Sequence, residues 1–600
     1  MLRPIPRMSV TIAGRPAPSG MASPLPSRRR VPSMLFFILG LTALIMLYGG
    51  PAGAQSGDRL LDRFFPPPAL APVPPTLTLP ALPAVLPVQV SVEQHNQAVH
   101  LNNQGVDALQ AGRADQAVSL FEQGAQLNPG EVGLWKNLLA AQRQAERPPR
   151  EIIQTALRIM AMDPAEGMAP YAAGMAYLDQ LKSPREALPF LAEAVRRQPN
   201  EPRFATALAS AWDKAGFPDQ ALAILKEKAA EVGDDPYPLY LLGNLLVARG
   251  EFPAAVRALR SAKAKDTEGY AHDAYLRARF AAGDLVGLDQ ETADALRRFP
   301  RILNRASLER ILFSLQPHEY DFVEEVRVQI ANPADIRTFH FVLRFPPDVP
   351  DHQKVQVKAA EIETRGRRTA VTWTGPDADG RFSFPCTESP GATVILRVQY
   401  RLQVVPWLGQ RGPFRPTAPP DLERLRADPK LSLADPRLER LLQRLAREPG
   451  NFLQNAYRAV GRGLSYRENF EDRSVAWALD HPDQCDCTEF ARLLAALALK
   501  RGIPTRVITG FLVKEEFLRS ETNVGHAWCE VHFRDKGWVP VDPTLGVTLD
   551  WAYFGNLLSD QIVFDYEEEG RKSRIGVDFV STTSDVGVKI SNTYRVRLIR

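Results

Sequence analysis

Four cysteines occur in 600 residues, and two of them, Cys485 and Cys487, are separated by a single Asp486 in the stretch DQCDCTEF. Such a pair has three chemistries open to it: metal ligation, a small strained disulfide, or one nucleophilic thiol beside a second that modifies it. A zinc site of this kind needs two further ligands at suitable spacing. His481 and His526 are available, but the chain has no second Cys pair, so no metal is expected. A Cys485–Cys487 disulfide would close a very small ring and disable a nucleophile at 487. That leaves Cys487 as the candidate nucleophile and Cys485 as a candidate redox modulator.

The segment that follows must position the thiol. Phe490, Leu493, Leu494 and Leu497 recur at i, i+3, i+4 and i+7, the spacing of one helical face. Asp486, Thr488 and Glu489 have the character of a helix start, and Gly502 with Pro504 ends the helix. Cys487 therefore sits at a helix N-terminus, where unpaired N–H groups favour an anion. A helix start and a neighbouring imidazole together turn a thiol into a competent thiolate nucleophile. Cys485 lies off the helix and gains less.

A thiolate needs a base, and the base needs an orienting partner. In HAWCEVHF, residues 526–533, strand alternation puts His526, Trp528, Glu530 and His532 on one face. The two histidines are roughly 20 Å apart along a strand, so they cannot serve one site. The turn at Arg534–Gly537 folds the chain into a hairpin with GWVPVD, and this register brings Asp542 opposite residues 528–529. Asp542 is then the partner of His526, and His532 is a surface residue by the turn. Cys487, His526 and Asp542 form the expected triad. Trp528 is a candidate for the wall of a substrate pocket, and Cys529, on the opposite face, for core packing.

These motifs (CTEFA, GIPTRVITGF, GHAWCEV and GWVPVDPT) resemble the transglutaminase-like superfamily, a papain-type cysteine fold. The resemblance covers residues 421–600. It implies Cys487 as nucleophile, His526 as base, Asp542 as its partner, a thioester intermediate and no cofactor. It also implies amide substrates, with protein crosslinking, deamidation and peptide hydrolysis all inside the family. One departure stands out: the family usually reads Gly-Asp-Cys, and here Cys485 takes the glycine's place.

Upstream, residues 92–300 are helical and repetitive. Pro129, Pro164, Pro199 and Pro236 end similar phrases at intervals of 35, 35 and 37 residues. This resembles the 34-residue tetratricopeptide repeat, with five or six helix pairs that bury their apolar faces by stacking. A concave groove holding a protein partner is the implied role. Residues 310–405 read as short alternating strands between Gly, Pro and Asp clusters, an antiparallel sandwich of seven or eight strands. Residues 406–420 are a Pro-rich linker. The last domain, 421–600, places helices before strands and is α+β.

The N-terminus carries an export signal. Arg28-Arg29-Arg30 precede an apolar run from Met34 to Tyr48, and Ala52-Gly53-Ala54 fits a cleavage site. Residues 1–54 are thus a signal peptide or a signal anchor that tethers the chain to the membrane. Residues 55–91, with nine prolines between 64 and 90, form an extended spacer. Net charge is only +4 without a basic run, which argues against nucleic acid as a partner.

The chain thus reads as a multidomain exported protein of the periplasm or cell envelope: α-solenoid, β-sandwich, then transglutaminase-like domain. The expected function is a cysteine enzyme acting on an amide in a protein or peptide substrate, a hydrolase or acyltransferase, with repeats for docking. The competing expectation is a catalytically silent envelope scaffold that binds partners through its repeats.

Overall fold

Proline opens many of the helices in the N-terminal half. Pro149, Pro184, Pro202 and Pro218 each occupy a first helical position, where no amide hydrogen is needed. The structure is a computed structural model that describes residues 59–66, 74–85, 88–229, 235–409, 420–468, 472–522, 524–546, 551–566, 573–581 and 587–599. The expected export signal, residues 1–54, and most of the 406–420 linker lie outside the described residues.

A short helix, α1 (Arg59–Phe64), comes first. The repeat array follows as six antiparallel pairs: α2 (Val92–Gln110) with α3 (Ala114–Leu127), α4 (Val132–Gln144) with α5 (Pro149–Met162), and α6 (Met168–Met175) with α7 (Pro184–Arg197). The remaining pairs are α8 (Pro202–Lys214) with α9 (Pro218–Ala229), α10 (Tyr237–Ala248) with α11 (Phe252–Lys263), and α12 (Tyr270–Ala281) with α13 (Leu288–Arg298). A single helix, α14 (Arg305–Leu315), caps the stack. The array therefore extends beyond the expected boundary at 300. Its apolar residues form successive clusters between neighbouring pairs, as stacking requires.

Two sheets form the sandwich. One has the order β14-β1-β6-β3-β4 and the other β13-β2-β5. Their strands are β1 (His318–Ile330), β2 (Ile336–Leu343), β3 (Gln353–Thr364), β4 (Arg367–Ala370), β5 (Phe382–Pro385) and β6 (Thr393–Val404), with β13 (Ile575–Ser581) and β14 (Val588–Leu598). Among the described residues, 310–405 supply six of these strands rather than the seven or eight expected there, and two more come from the C-terminus. The expected domain of 421–600 is corrected accordingly: residues 575–581 and 588–598 complete the sandwich. Buried Glu324 on β1 fixes this return by taking a bidentate pair of hydrogen bonds from Arg574, at 2.5 and 2.7 Å.

Two linker expectations also change. Arg59–Phe64 is helical and packed, not an extended spacer: Phe64 is buried in the core of the last domain, and Arg63 donates to the Gly463 carbonyl at 2.6 Å. Likewise β7 (Trp407–Leu408) pairs with β11 (Asn556–Leu557).

The last domain opens with α15 (Leu422–Arg426), α16 (Pro436–Leu445), α17 (Phe452–Gly463) and α18 (Val475–Asp480). The central helix α19 (Cys487–Lys500) is buried along nearly its whole length. It packs on an antiparallel sheet of order β10-β9-β8-β12, made of β8 (Thr505–Leu512), β9 (His526–Phe533), β10 (Gly537–Val541) and β12 (Gln561–Tyr566). Phe511, Ile562 and Phe564 of this sheet enter the sandwich core, so the two domains share apolar packing.

Candidate active site

Asp486 caps α19. Its carboxylate accepts the Thr488 N–H at 2.8 Å, while Glu489 accepts the Asp486 N–H at 2.8 Å, a reciprocal capping box. The cap fixes Cys487 at the first helical position, on the positive end of the helix dipole. Across the sheet, β9 and β10 pair with Val541 opposite Cys529, so the next residue, Asp542, falls beside Trp528. That is the register expected from the hairpin.

His526 Nε2–H donates to Asp542 Oδ2 at 2.7 Å. The Cys487 side chain faces the same imidazole and helps hold its proton. With Nε2 committed to the aspartate, the ring nitrogen left for the thiol is Nδ1. Cys487, His526 and Asp542 are thus brought together as a connected series. All three are buried, with 7%, 8% and 1% exposure. Burial works against an imidazolium here, but the Asp542 charge, its hydrogen bond and the Cys487 side chain outweigh it. The His526 pKa rises to about 10. A protonated imidazole beside the sulfur is placed to donate a proton to a departing group.

Asp542 is itself held from four directions. Its Oδ1 accepts the Thr544 and Leu545 N–H groups at 3.1 and 3.2 Å, and its Oδ2 also accepts from Gln561 Nε2 at 3.3 Å. Gln561 is oriented in turn by the Leu558 N–H on its Oε1 at 3.2 Å. Hydrogen-bonded on both oxygens and nearly sealed from solvent, this side chain has few alternatives to its present orientation. The sequence gives no sign of Gln561, which lies on β12.

Cys485 turns away from the nucleophile. It is fully buried, with Sγ at 3.5 Å from the His481 carbonyl and 3.9 Å from that of Ala478. Burial, then the charge of Glu489, pushes its thiol up to about 12. Cys485 and Cys487 are both free thiols. The side chain that replaces the family's glycine therefore packs toward α18 without crowding the sulfur of Cys487.

Trp528, expected at a pocket wall, is fully buried among Val349, Trp407, Ile508, Leu557 and Val563. Its ring lies across Gly510, where any side chain would collide with it. It backs His526 at a ring separation of 5.8 Å. Cys529 is buried on the other face, with Sγ 3.0 Å from the Ala491 carbonyl. His532 lies at the far end of the hairpin, packed edge-on to Trp538. Half-exposed Tyr466, which bridges to Cys485, was not anticipated from the sequence. Burial, followed by the charge of Cys487, raises its phenol, placing it at the edge of the site.

Residues 439–543 match the family model of the transglutaminase-like superfamily, and that span runs from α16 to the residue after Asp542. The chain contains a transglutaminase-like domain. This domain follows a tetratricopeptide-type solenoid at 92–315 and a strand-rich region. No curated protein matches the chain. Among solved structures, a candidate cysteine protease from Cytophaga hutchinsonii is similar at 14% identity, covering 46% of this chain and 91% of its own, with a TM-score of 0.31. PilF of Pseudomonas aeruginosa is similar at 16% identity, covering 36% and 99%, with a TM-score of 0.32. YrrB, described as a TPR protein with an unusual peptide-binding site, is similar at 16% identity, covering 31% and 95%, with a TM-score of 0.28.

Proposed function

We propose that the transglutaminase-like domain is a cysteine enzyme that acts on an amide of a protein or peptide through a thioester. The reading rests on one observation above the others: His526 is hydrogen-bonded to Asp542, at 2.7 Å, while its proton is also held by the side chain of Cys487 at the start of α19. The Cys487 thiolate attacks the amide carbonyl. Backbone N–H groups at the helix start, that of Cys487 included, stabilise the oxyanion. His526 passes its proton to the departing amine as the C–N bond breaks, and Asp542 keeps the ring oriented. Water or an amine, deprotonated by the now neutral His526, then releases the acyl group from sulfur.

We place the enzyme outside the cytoplasm, in the periplasm or cell envelope, because of the basic-apolar-small pattern at Arg28–Ala54. The repeats then dock a protein partner. The low exposure of Cys487 supports a second reading, a silent scaffold whose cysteine fold is retained for packing. Thiol-reactive probes separate the two. Cys487 should label faster than Cys386 at neutral pH, and the probe adduct should vanish in Cys487→Ala. Equal labelling of the two thiols would overturn the enzyme reading. Mass spectrometry of an acyl group trapped on Cys487 would then name the substrate class.

A further inference from the structure

The catalytic aspartate leans on the repeat array. Residues 551–561 run beside the edge strand β10, where the Asp542 N–H donates to the Tyr553 carbonyl at 3.1 Å and the Gly555 N–H to the Pro540 carbonyl at 2.8 Å. The same segment is pinned on its other side by the last helices of the solenoid. Trp551 N–H donates to the Ala281 carbonyl at 2.9 Å, and Ser559 N–H to the Ser314 carbonyl at 3.0 Å. The Phe280 and Tyr553 rings meet edge-on at 6.3 Å. Gly283 makes this approach feasible: its φ is +69°, and a Cβ there would stand 2.8 Å from the Trp551 carbonyl oxygen.

Asp560 sits at the centre of this contact and is 2% exposed. Its Oδ2 accepts the Ser314 hydroxyl at 2.8 Å and the Tyr553 hydroxyl at 2.9 Å. Burial raises this carboxyl above its ordinary range, against the effect of those two hydroxyls. Its Oδ1 has no hydrogen-bond partner among the described residues, so the orientation of this carboxyl depends on the two hydroxyls at Oδ2. Two routes lead on to Asp542. One passes through the phenol of Tyr553 to its backbone carbonyl; the other passes along the chain to Gln561, whose amide donates to Asp542.

We propose that Ser314, on the capping helix of the array, is a positioning residue for the Cys487–His526–Asp542 site, acting through Asp560 and Tyr553 on Asp542. The proposal rests on the reading of that site as catalytic. Removing the Ser314 hydroxyl leaves Asp560 with one donor and frees the Tyr553 side chain to shift. The carbonyl that holds the Asp542 backbone shifts with it, and a misplacement of ~1 Å in such a site lowers rates by up to about 10²-fold.

The test is iodoacetamide alkylation of Cys487 in the full chain, followed by mass spectrometry across pH 5 to 9. Ser314→Ala and Tyr553→Phe should each slow alkylation at pH 6 by about three- to tenfold and move the acid limb of the profile upward. Asp560→Asn, whose amide oxygen still accepts both hydroxyls, should recover most of what Asp560→Ala loses. Unchanged pH profiles in Ser314→Ala and Tyr553→Phe, with a reactive wild type, would overturn the positioning role alone. A wild-type Cys487 no faster than Cys386 would overturn the catalytic reading itself. If Ser314→Ala fails to fold, Tyr553→Phe decides, since it removes one oxygen and leaves the ring in place.

Discussion

Asp542→Asn is the most informative single change at the site. The amide keeps the shape of the side chain and an oxygen for the Thr544 and Leu545 N–H groups, at 3.1 and 3.2 Å in the wild type. It removes the charge that faces His526 Nε2. The His526 pKa stands at about 10 against an ordinary 6.5, a rise of about 3.5 units. At about 1.4 kcal/mol per unit, that corresponds to a ceiling of about 5 kcal/mol for the folded state. The sign follows from the rise. The folded protein holds this proton more tightly than the unfolded chain, so the stabilisation is complete below pH 6.5 and is lost as pH climbs toward 10.

The measurement is deuterium exchange at the imidazole C2–H of His526, read by mass spectrometry as a titration. The wild-type midpoint should lie far above the ordinary 6.5 of an imidazole. In Asp542→Asn it should fall by at least about two units, because burial, which opposes protonation, is then met only by the thiol. Two consequences accompany the drop. Cys487 alkylation at pH 6 should slow by about tenfold or more, since the ion pair has lost the carboxylate that sustains its cation. The loss of thermal stability between pH 7 and 9.5 should also be smaller in the variant than in the wild type. A His526 midpoint that stays within half a unit of the wild type would refute the argument, because the proton would then be held by something other than Asp542.

Three further changes test other parts of the molecule. Cys485→Ser should leave Cys487 labelling intact with or without reductant, because the Cys485 sulfur faces the carbonyls of Ala478 and His481; labelling that depends on reductant only in the wild type would restore a redox lock. Phe64→Ala should destabilise the chain by about 3–5 kcal/mol, the usual effect of truncating a fully buried aromatic, measured as the shift of the unfolding midpoint. Gly283→Val should cost about 1–3 kcal/mol from its left-handed backbone alone and should also push the 551–561 segment off the array, read as faster amide exchange at Trp551.

The juxtaposition of Cys487, His526 and Asp542 was legible because each residue lies where a local rule acts. A capping sequence fixes Cys487, strand alternation places His526, and a tight hairpin sets Asp542. Gln561, Asp560 and Tyr553 follow no such rule. They reach the aspartate only after the chain has folded back along the edge of β10, and nothing in their spacing marks that return. Trp528 shows a second limit. Alternation puts it on the face of His526 but cannot tell an open face from a covered one. β9 is an inner strand, with α19 on one side and the Trp407–Leu557 cluster on the other. Strand pattern is equally silent on partners, which is why residues 575–581 and 588–598 read as part of the last domain while they pair with β1 and β2. The helix at Arg59–Phe64 had a readable signal in Leu60, Leu61, Phe64 and Phe65, an apolar stripe hidden by the prolines that follow.

The repeat array and the transglutaminase-like domain also cannot be treated as separable modules. Residues 256–315 of the array form one apolar cluster with Leu408, Ala552, Tyr553 and Leu558, and that cluster lies directly behind Asp542. Deleting residues 92–300 would strip this packing and expose Tyr553, so lost activity after deletion would say nothing about partner docking. The informative change lies earlier in the array. Tyr237 is 45% exposed and joins a run of ring contacts with Tyr240 and Tyr270, while earlier in the array Tyr171 of α6 stacks on Phe204 of α8. Tyr237→Ala removes exposed aromatic surface without touching the support of Asp542. A partner that docks there should be lost while Cys487 keeps its reactivity. If both fall together, the array acts on the site as a unit rather than as a handle for the partner.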